Sequence, residues 1–554
     1  MLRLTFALSC CLTLASVVGS SSVEAASLAA ARPNFVFIIT DDQGYGDLSA
    51  HGNPILKTPN LDRLHAEGVR FTDFHVSPTC SPTRSALMSG RHEFRNGVTH
   101  TILERERMAL DVVTLPQTLK TAGYATGIFG KWHLGDEAEY QPNRRGFDEV
   151  FIHGGGGIGQ TYPGSCGDAP NNSYFDPAIL HNGKFEKTKG YCTDVFFAQA
   201  QTWIESRVQT GQGTAKQPFF CYIATNAPHG PLQVRPEDEA RYSGQTPSAD
   251  VAKFFGMVAN IDDNVGRLLA KLAELGLERN TLVVFMNDNG GTVGTRVFNA
   301  GMHGQKGTPY RGGTRAMSLW RWPNTLSPAS CDRTVAHIDV YRTLAEIAGA
   351  KLSAKAEAQA EGRSLVSLLE NPSADWQERT LFTHQGRWPK GSDANLAKFA
   401  NCSIRSGRWN LVSTAKTAPR GAATAAATAA TSVATKAAEP RWELYDLSAD
   451  PGETKNLAAE HPEVIAELWK TYDRWWADVV PATLENERAE GPAINPFHAT
   501  YYKQFGGSPA AGKDAKPTTA VAQAPLQVTN RRRRISLPNR PLAPPRAEPR
   551  ARRS

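Results

Sequence analysis

The stretch Val76-Ser-Pro-Thr-Cys80-Ser81-Pro82-Thr83-Arg84-Ser85 decides how the rest of the chain reads. Pro82 suits the first turn of a helix, where a missing N–H costs nothing, and Ser81 reads as the cap just before it. Cys80 is thereby expected at a helix N-terminus, whose unpaired N–H groups and positive dipole favour a bound anion. Arg84, four positions on, falls on the same helical face, so a cation and a nucleophile point into one pocket. Taken alone, the pentapeptide Cys80 to Arg84 reads equally as a buried cysteine before an ordinary helix.

The flanking sequence breaks that tie. Asn34-Phe-Val-Phe-Ile-Ile-Thr40 is a continuous apolar run of strand length, as expected for a strand buried on both faces of an α/β sheet. It runs into Asp41-Asp42, two carboxylates at a strand's carboxyl end, where open α/β sheets place their ligands; a solvated turn is the alternative reading of that pair. Thr281 to Met286 repeats the pattern and ends in Asn287-Asp288-Asn289-Gly290-Gly291. Asp41, Asp42, Asp288 and Asn289 offer only oxygen, which selects a hard cation such as Ca²⁺ or Mg²⁺ over zinc.

Between these strands, Thr58-Pro59-Asn60-Leu61 opens a helix that Gly68 closes, and Thr114 to Gly123 reads as a second short capped helix. The strand Tyr124 to Gly130 leads into Lys131-Trp132-His133, whose i and i+2 side chains face the same way. Gly154 to Gly190, rich in Gly, Asn and Pro, reads as a long loop region over the active face. After the strand Pro218 to Thr225, Pro228 and Pro231 are expected to hold the backbone extended around His229. Asp250 to Leu277 has the apolar spacing of a long packing helix, and Gly301 to Arg315 is a glycine-punctuated loop bearing Lys306. Singly, Lys131, His133 and His229 each read as ordinary structural or surface residues.

Met317 to Pro323 and the helix Asp339 to Ala348 complete a large domain, taken as residues 33–375. Arg379 to Gln385, Cys402 to Ser413 and Arg441 to Leu447 read as strands of a small antiparallel sheet under a helix from His461 to Trp476, giving a C-terminal domain over 376–480. An Ala/Thr tract at 414–438 cannot build a core and is expected to be a disordered insertion. The net charge of +7 belongs to a Pro-rich tail, residues 507–554, with 11 Lys/Arg against 2 Asp/Glu; the body carries about −2, and no nucleic-acid partner is expected.

Residues 1–25, with Arg3, an apolar core from Leu4 to Val18 and Val23-Glu24-Ala25, have the pattern of a signal peptide, so the chain is expected to be exported, periplasmic or extracellular, with no transmembrane segment. Cys10 and Cys11 lie inside the apolar core instead of ending it, unlike a lipoprotein signal. Of the six later cysteines, Cys166 and Cys192 bracket the Gly/Asn/Pro-rich segment and are the expected disulfide pair; no Cys-x-x-Cys spacing points to a metal site.

The pentapeptide, together with Gly130-Lys131-Trp132-His133-Leu134-Gly135, the passage around His229, the Asp288 and Lys306 stretches and Tyr445 to Leu457, resembles the type I, arylsulfatase-like sulfatases over roughly residues 33 to 480. The resemblance implies an alkaline-phosphatase-like α/β fold, with a large mixed sheet flanked by helices plus a smaller antiparallel-sheet domain. It further implies that Cys80 is oxidised by a formylglycine-generating enzyme to Cα-formylglycine, whose hydrate is the nucleophile. The metal, more often Ca²⁺ than Mg²⁺ in this family, would be held by Asp41, Asp42, Cys80, Asp288 and Asn289. Arg84, Lys131, His133, His229 and Lys306 would surround a sulfate ester of a small molecule or glycan. In the mechanism so implied, Asp288 takes the proton of the attacking hydroxyl. His229, assisted by Lys306, protonates the leaving alcohol, and His133 then deprotonates the second hydroxyl so that sulfate is expelled. The family usually has an acidic residue where Arg311 stands. A phosphodiesterase or phosphonate monoester hydrolase and a non-catalytic sulfated-glycan binder are the competing readings; the sulfated alcohol itself is not legible.

Overall fold

The computed structural model describes residues 27–208, 217–416, 437, 439–487 and 490–507. The expected leader, nearly all of the Ala/Thr tract and all but the first residue of the basic tail lie outside the described residues.

Ten strands form the main sheet, and its middle is the five-strand parallel set Thr281–Asn287, Asn34–Thr40, Phe219–Ala224, Ala125–Lys131 and Glu149–His153, in that spatial order. The apolar run at Asn34–Thr40 is central because it can be covered on both sides: Phe35, Phe37 and Ile39 enter one core, Val36 and Ile38 the other. Pairing of Thr40 with Asn287 sends Asp41 and Asp288 out at the same edge, and the Asp288 N–H donates to the Thr40 carbonyl at 3.0 Å. Gly130, at φ +107°, lets its strand pass where a Cβ would come within 2.0 Å of the Ala224 carbonyl, so Lys131 reaches the same edge. The long helix Ala249–Glu274, capped by Ser248, packs on one face as its apolar spacing predicts.

Three expectations need correction. The region Gly154 to Gly190 is not loop throughout: Ala178–His181 and Lys184–Lys187 pair as a hairpin that extends the sheet, turning through Asn182 and Gly183, both at positive φ. Cys402 to Ser413 is two strands, Cys402–Ser406 and Trp409–Ser413, folded back at Gly407. A helix beyond the expected domain end, Pro496–Phe505, seats Phe497 and Tyr501 against Phe185, and its Gln504 both donates to and accepts from the Phe185 backbone, covering the sheet's edge.

The small sheet orders Thr380–His384, Cys402–Ser406, Trp409–Ser413 and Trp442–Asp446 antiparallel, under the helix Pro462–Glu487. Phe94 of the large domain enters its core among Trp388, Trp475 and Trp476. A second tie is ionic: Asp73 holds Arg311 at 3.1 Å and Arg405 of the small sheet at 3.3 Å, with Thr334 and His75 on the remaining positions. Arg311 also donates to the Pro451 carbonyl at 2.7 Å, and its backbone N–H donates to Glu453. The departure at Arg311 is thus absorbed by a clamp between the domains.

Removing Asp73 leaves two largely buried guanidinium groups without their shared carboxylate. Asp73→Ala should therefore lower unfolding stability by about 3–5 kcal/mol, read from urea denaturation; a loss below about 1 kcal/mol would show the clamp to be solvated and weak.

Candidate active site

Cys80 is the first residue of the helix Cys80–Ser89, which is buried along its whole length. The cap is Thr79, not Ser81, and Pro82 falls within the first turn. Ser81 instead donates its hydroxyl to the His133 carbonyl at 2.8 Å, tying the helix start to the Lys131-Trp132-His133 segment. Arg84 lies one turn on and is paired with Asp288, through Nη2 at 2.8 Å and Nε at 3.2 Å, while its Nη1 has no hydrogen-bond partner.

Six segments converge here. Asp41, Cys80 and Asp288 each bring a ligating atom within 4.8 Å of the others. Lys131 pairs with Asp41, and Lys306 with Asp42. Asn289 Nδ2 donates to Asp42 Oδ1 at 3.0 Å, so Asp42 sits beside the trio with that oxygen shared between Asn289 and Lys306. His229 Nε2 stands 3.8 Å from Asp42 Oδ2. The backbone around His229 turns instead of staying extended, and both the Ala227–Pro228 and Gly230–Pro231 bonds are cis. All the residues expected at one site are thus brought together.

The donor set fits a hard divalent cation. Asp41 Oδ1 and Asn289 Oδ1 are buried acceptors with no hydrogen-bond partner, and unpaired buried oxygens of this kind are costly unless something positive satisfies them. Burial opposes the charge on Asp41, yet Lys131, His229, Lys306 and Arg84 hold its carboxyl far below the usual carboxylate range. Asp288 goes the other way: burial and the neighbouring Asp41 charge push its carboxyl well up despite Arg84. Burial would raise the Cys80 thiol, but Lys131, Lys306 and His229 outweigh it and lower it, as a helix start in a cationic pocket should.

The two histidines are prepared differently. His133, at φ +60°, donates Nε2–H to the Thr101 carbonyl at 2.8 Å, which leaves Nδ1 as an unpaired buried acceptor. Burial and then Lys131 depress its protonation well below the ordinary imidazole range, so it is a neutral base at physiological pH. His229 is partly exposed; its Nδ1 is held by the Gly230 carbonyl at 2.6 Å, leaving Nε2 toward Asp42.

The expected Cys166–Cys192 pair does not form. Every described cysteine is a free thiol; Cys166 Sγ lies 3.9 Å from His133 Nε2, whereas Cys192 starts a helix. Sequence reasoning also missed Gln160, whose amide lies 3.5 Å from His229 Nδ1 and donates to the Gly230 carbonyl, and Arg387, which reaches the site from the small domain. Only Gln160 had a signal, its place in the loop region flagged over the active face.

This constellation on an α/β sheet defines a hydrolase of anionic esters. Residues 33–350 match the Sulfatase family model, and the chain belongs to the sulfatase family. It is 34% identical to human arylsulfatase A over 80% of this chain and 88% of that protein, and 31% identical to rat N-acetylgalactosamine-6-sulfatase over 58% and 62%. Among solved structures, Ps i-CgsB in complex with k-i-k-neocarrahexaose is similar at a TM-score of 0.65 and 26% identity, covering 80% of this chain and 92% of that one. The chain is therefore an enzyme of sulfate ester hydrolysis with the arylsulfatase-like fold.

If His133 is held neutral by burial and Lys131, its ring should not titrate between pH 5 and 8, and only Nε2 should carry a proton. Nitrogen-detected NMR of the labelled protein checks this; a protonation midpoint near the ordinary value of about 6.5 would contradict it.

Proposed function

We propose that the chain is an exported sulfuric ester hydrolase acting on aryl or carbohydrate sulfate monoesters, with Cys80 converted to Cα-formylglycine by a formylglycine-generating enzyme and a divalent cation, Ca²⁺ or alternatively Mg²⁺, at Asp41, Asp42, Asp288, Asn289 and position 80. The observation that carries this reading is Cys80 at a helix start within 4.8 Å of two strand-end carboxylates, one of them bearing an unpaired oxygen. When bound, the cation supplies Lewis acidity and the formylglycine hydrate supplies two hydroxyls on one carbon. Relatives named as arylsulfatase A and N-acetylgalactosamine-6-sulfatase support both substrate types. Export rests on the pattern of residues 1–25, and none of the described helices is long and apolar enough to cross a membrane.

The chain's own residues divide the work. Lys131, Lys306 and Arg84 Nη1 provide positive charge where the sulfate oxygens gather negative charge. Asp288, with Oδ2 held by Arg84, takes up the proton of the attacking hydroxyl at Oδ1. His229 delivers a proton from Nε2 to the departing alcohol, with Lys306 and Asp42 beside it. His133 Nδ1, unpaired and neutral, accepts the proton whose removal frees sulfate and restores the site.

Matched sulfate and phosphate monoesters of one alcohol test the assignment. Sulfate release should be faster by kcat/KM, should vanish on chelation and should return with Ca²⁺; preference for the phosphate would move the enzyme to the phosphoryl-transfer branch. Asp288→Asn should lower kcat by at least about 10³-fold, because removing a base and an electrostatic group together costs more than either alone. Activity within about tenfold of wild type would remove Asp288 from the mechanism.

A further inference from the structure

The small domain sends one segment, Gln385-Gly386-Arg387-Trp388, back over the catalytic domain. Gly386 and Arg387 both take left-handed backbone angles, φ +66° and +63°, and a Cβ on Gly386 would stand 2.0 Å from the Thr99 carbonyl. The Arg387 N–H donates to that same carbonyl at 2.9 Å, so the turn is pinned against the large domain. Its Nη2 then donates to Thr101 Oγ1 at 3.2 Å, on the residue whose carbonyl orients His133. On the other side the Gln385 amide lies against Gly307, next to Lys306.

Arg387 differs from every other cation here. Arg84, Lys131 and Lys306 each have a carboxylate partner. Arg387 remains open to solvent although the protein packed around it depresses its guanidinium, and no described carboxylate lies at ion-pair distance from it; Cys80, Asp42 and the Tyr162 phenol are near enough for their charges to act on it. A backbone held in a strained conformation by two contacts to present an unpaired guanidinium beside a sulfate pocket is a built feature. The scissile sulfate already has three cations.

We propose that Arg387 is a specificity-determining residue that binds a second oxyanion of the substrate, a carboxylate or a further sulfate group, beside the scissile ester. The preferred substrates are thus sulfate esters with a second negative charge, not singly charged ones. This rests on the sulfatase reading above. A planar fork can engage either oxyanion through paired N–H donors, whereas Lys at this position keeps the charge and loses the geometry.

The test uses three esters: 4-nitrophenyl sulfate, the same ester bearing a ring carboxylate, and the same ester bearing a second sulfate. Sulfate release from the plain ester by the wild type tests the proposed function separately. Arg387→Ala should lower kcat/KM about tenfold more for either doubly charged ester than for the plain one, the loss of one charge-assisted contact. Arg387→Lys should recover part of the difference, and high salt should shrink it. Unequal losses between the carboxylate and the second sulfate identify which oxyanion is recognised. Calorimetric binding of the same esters to Cys80→Ala protein, with and without Arg387→Ala, gives the same comparison without turnover. Equal losses for all three esters would mean that Arg387 grips the scissile sulfate, and no loss for any would make it a structural strut; either result overturns the inference.

Discussion

Asp41 and Asp288 emerge side by side from adjacent parallel strands in a fully buried site, where Asp41 keeps its charge, Asp288 is pushed toward its neutral form, and the cluster depends on nearby positive charge. The fold supplies it from separate elements: Lys131 from the end of a third strand, Arg84 from the helix that starts at Cys80, and Lys306 from the loop beyond Asp288. Each of these charges would be costly alone and is tolerated only in company. The oxygens still unpaired, on Asp41 and Asn289, are those that a cation would satisfy.

That constraint explains the connections around the site. Strand register fixes the spacing of the carboxylates, Gly130 lets Lys131 come close, and the Ser81 hydroxyl locks the Cys80 helix to the His133 segment. The two imidazoles then differ through their surroundings: one buried and held neutral next to an ammonium group, the other partly open beside a carboxylate. The two rings are set apart by environment, not by residue type. Among the described residues the small domain adds no group to the carboxylate cluster; it brings Arg387 to Thr101 beside the His133 segment, and the Asp73 clamp with the Phe94 insertion fixes its position.

The core strands and the clustering of the expected site residues were legible because they are local signals: unbroken apolar runs ending in carboxylates, and short motifs at strand or helix ends. Thr79 displaced Ser81 as the cap because the helix begins two residues earlier, which releases the Ser81 hydroxyl for a tertiary contact. The hairpin after Ala178 carried its signal in Asn182-Gly183, but its strands are only four residues long and the last, Lys-Phe-Glu-Lys, has a single apolar residue. Gly407 likewise marks the fold-back that splits the Cys402 run. Arg387 and the Asp73 clamp were not readable, since both depend on where a second domain lands, and no local pattern encodes that.

The central proposal is that position 80 carries an aldehyde and not a thiol, because the proposed release of sulfate draws on a second hydroxyl on the same carbon. Mass analysis of the tryptic peptide Phe71 to Arg84 from active enzyme, with an aminooxy reagent to trap carbonyls, tests it directly. The account predicts an aldehyde-labelled peptide whose fraction rises in proportion to specific activity across preparations. Full activity in protein that shows only unmodified cysteine at position 80 would contradict it.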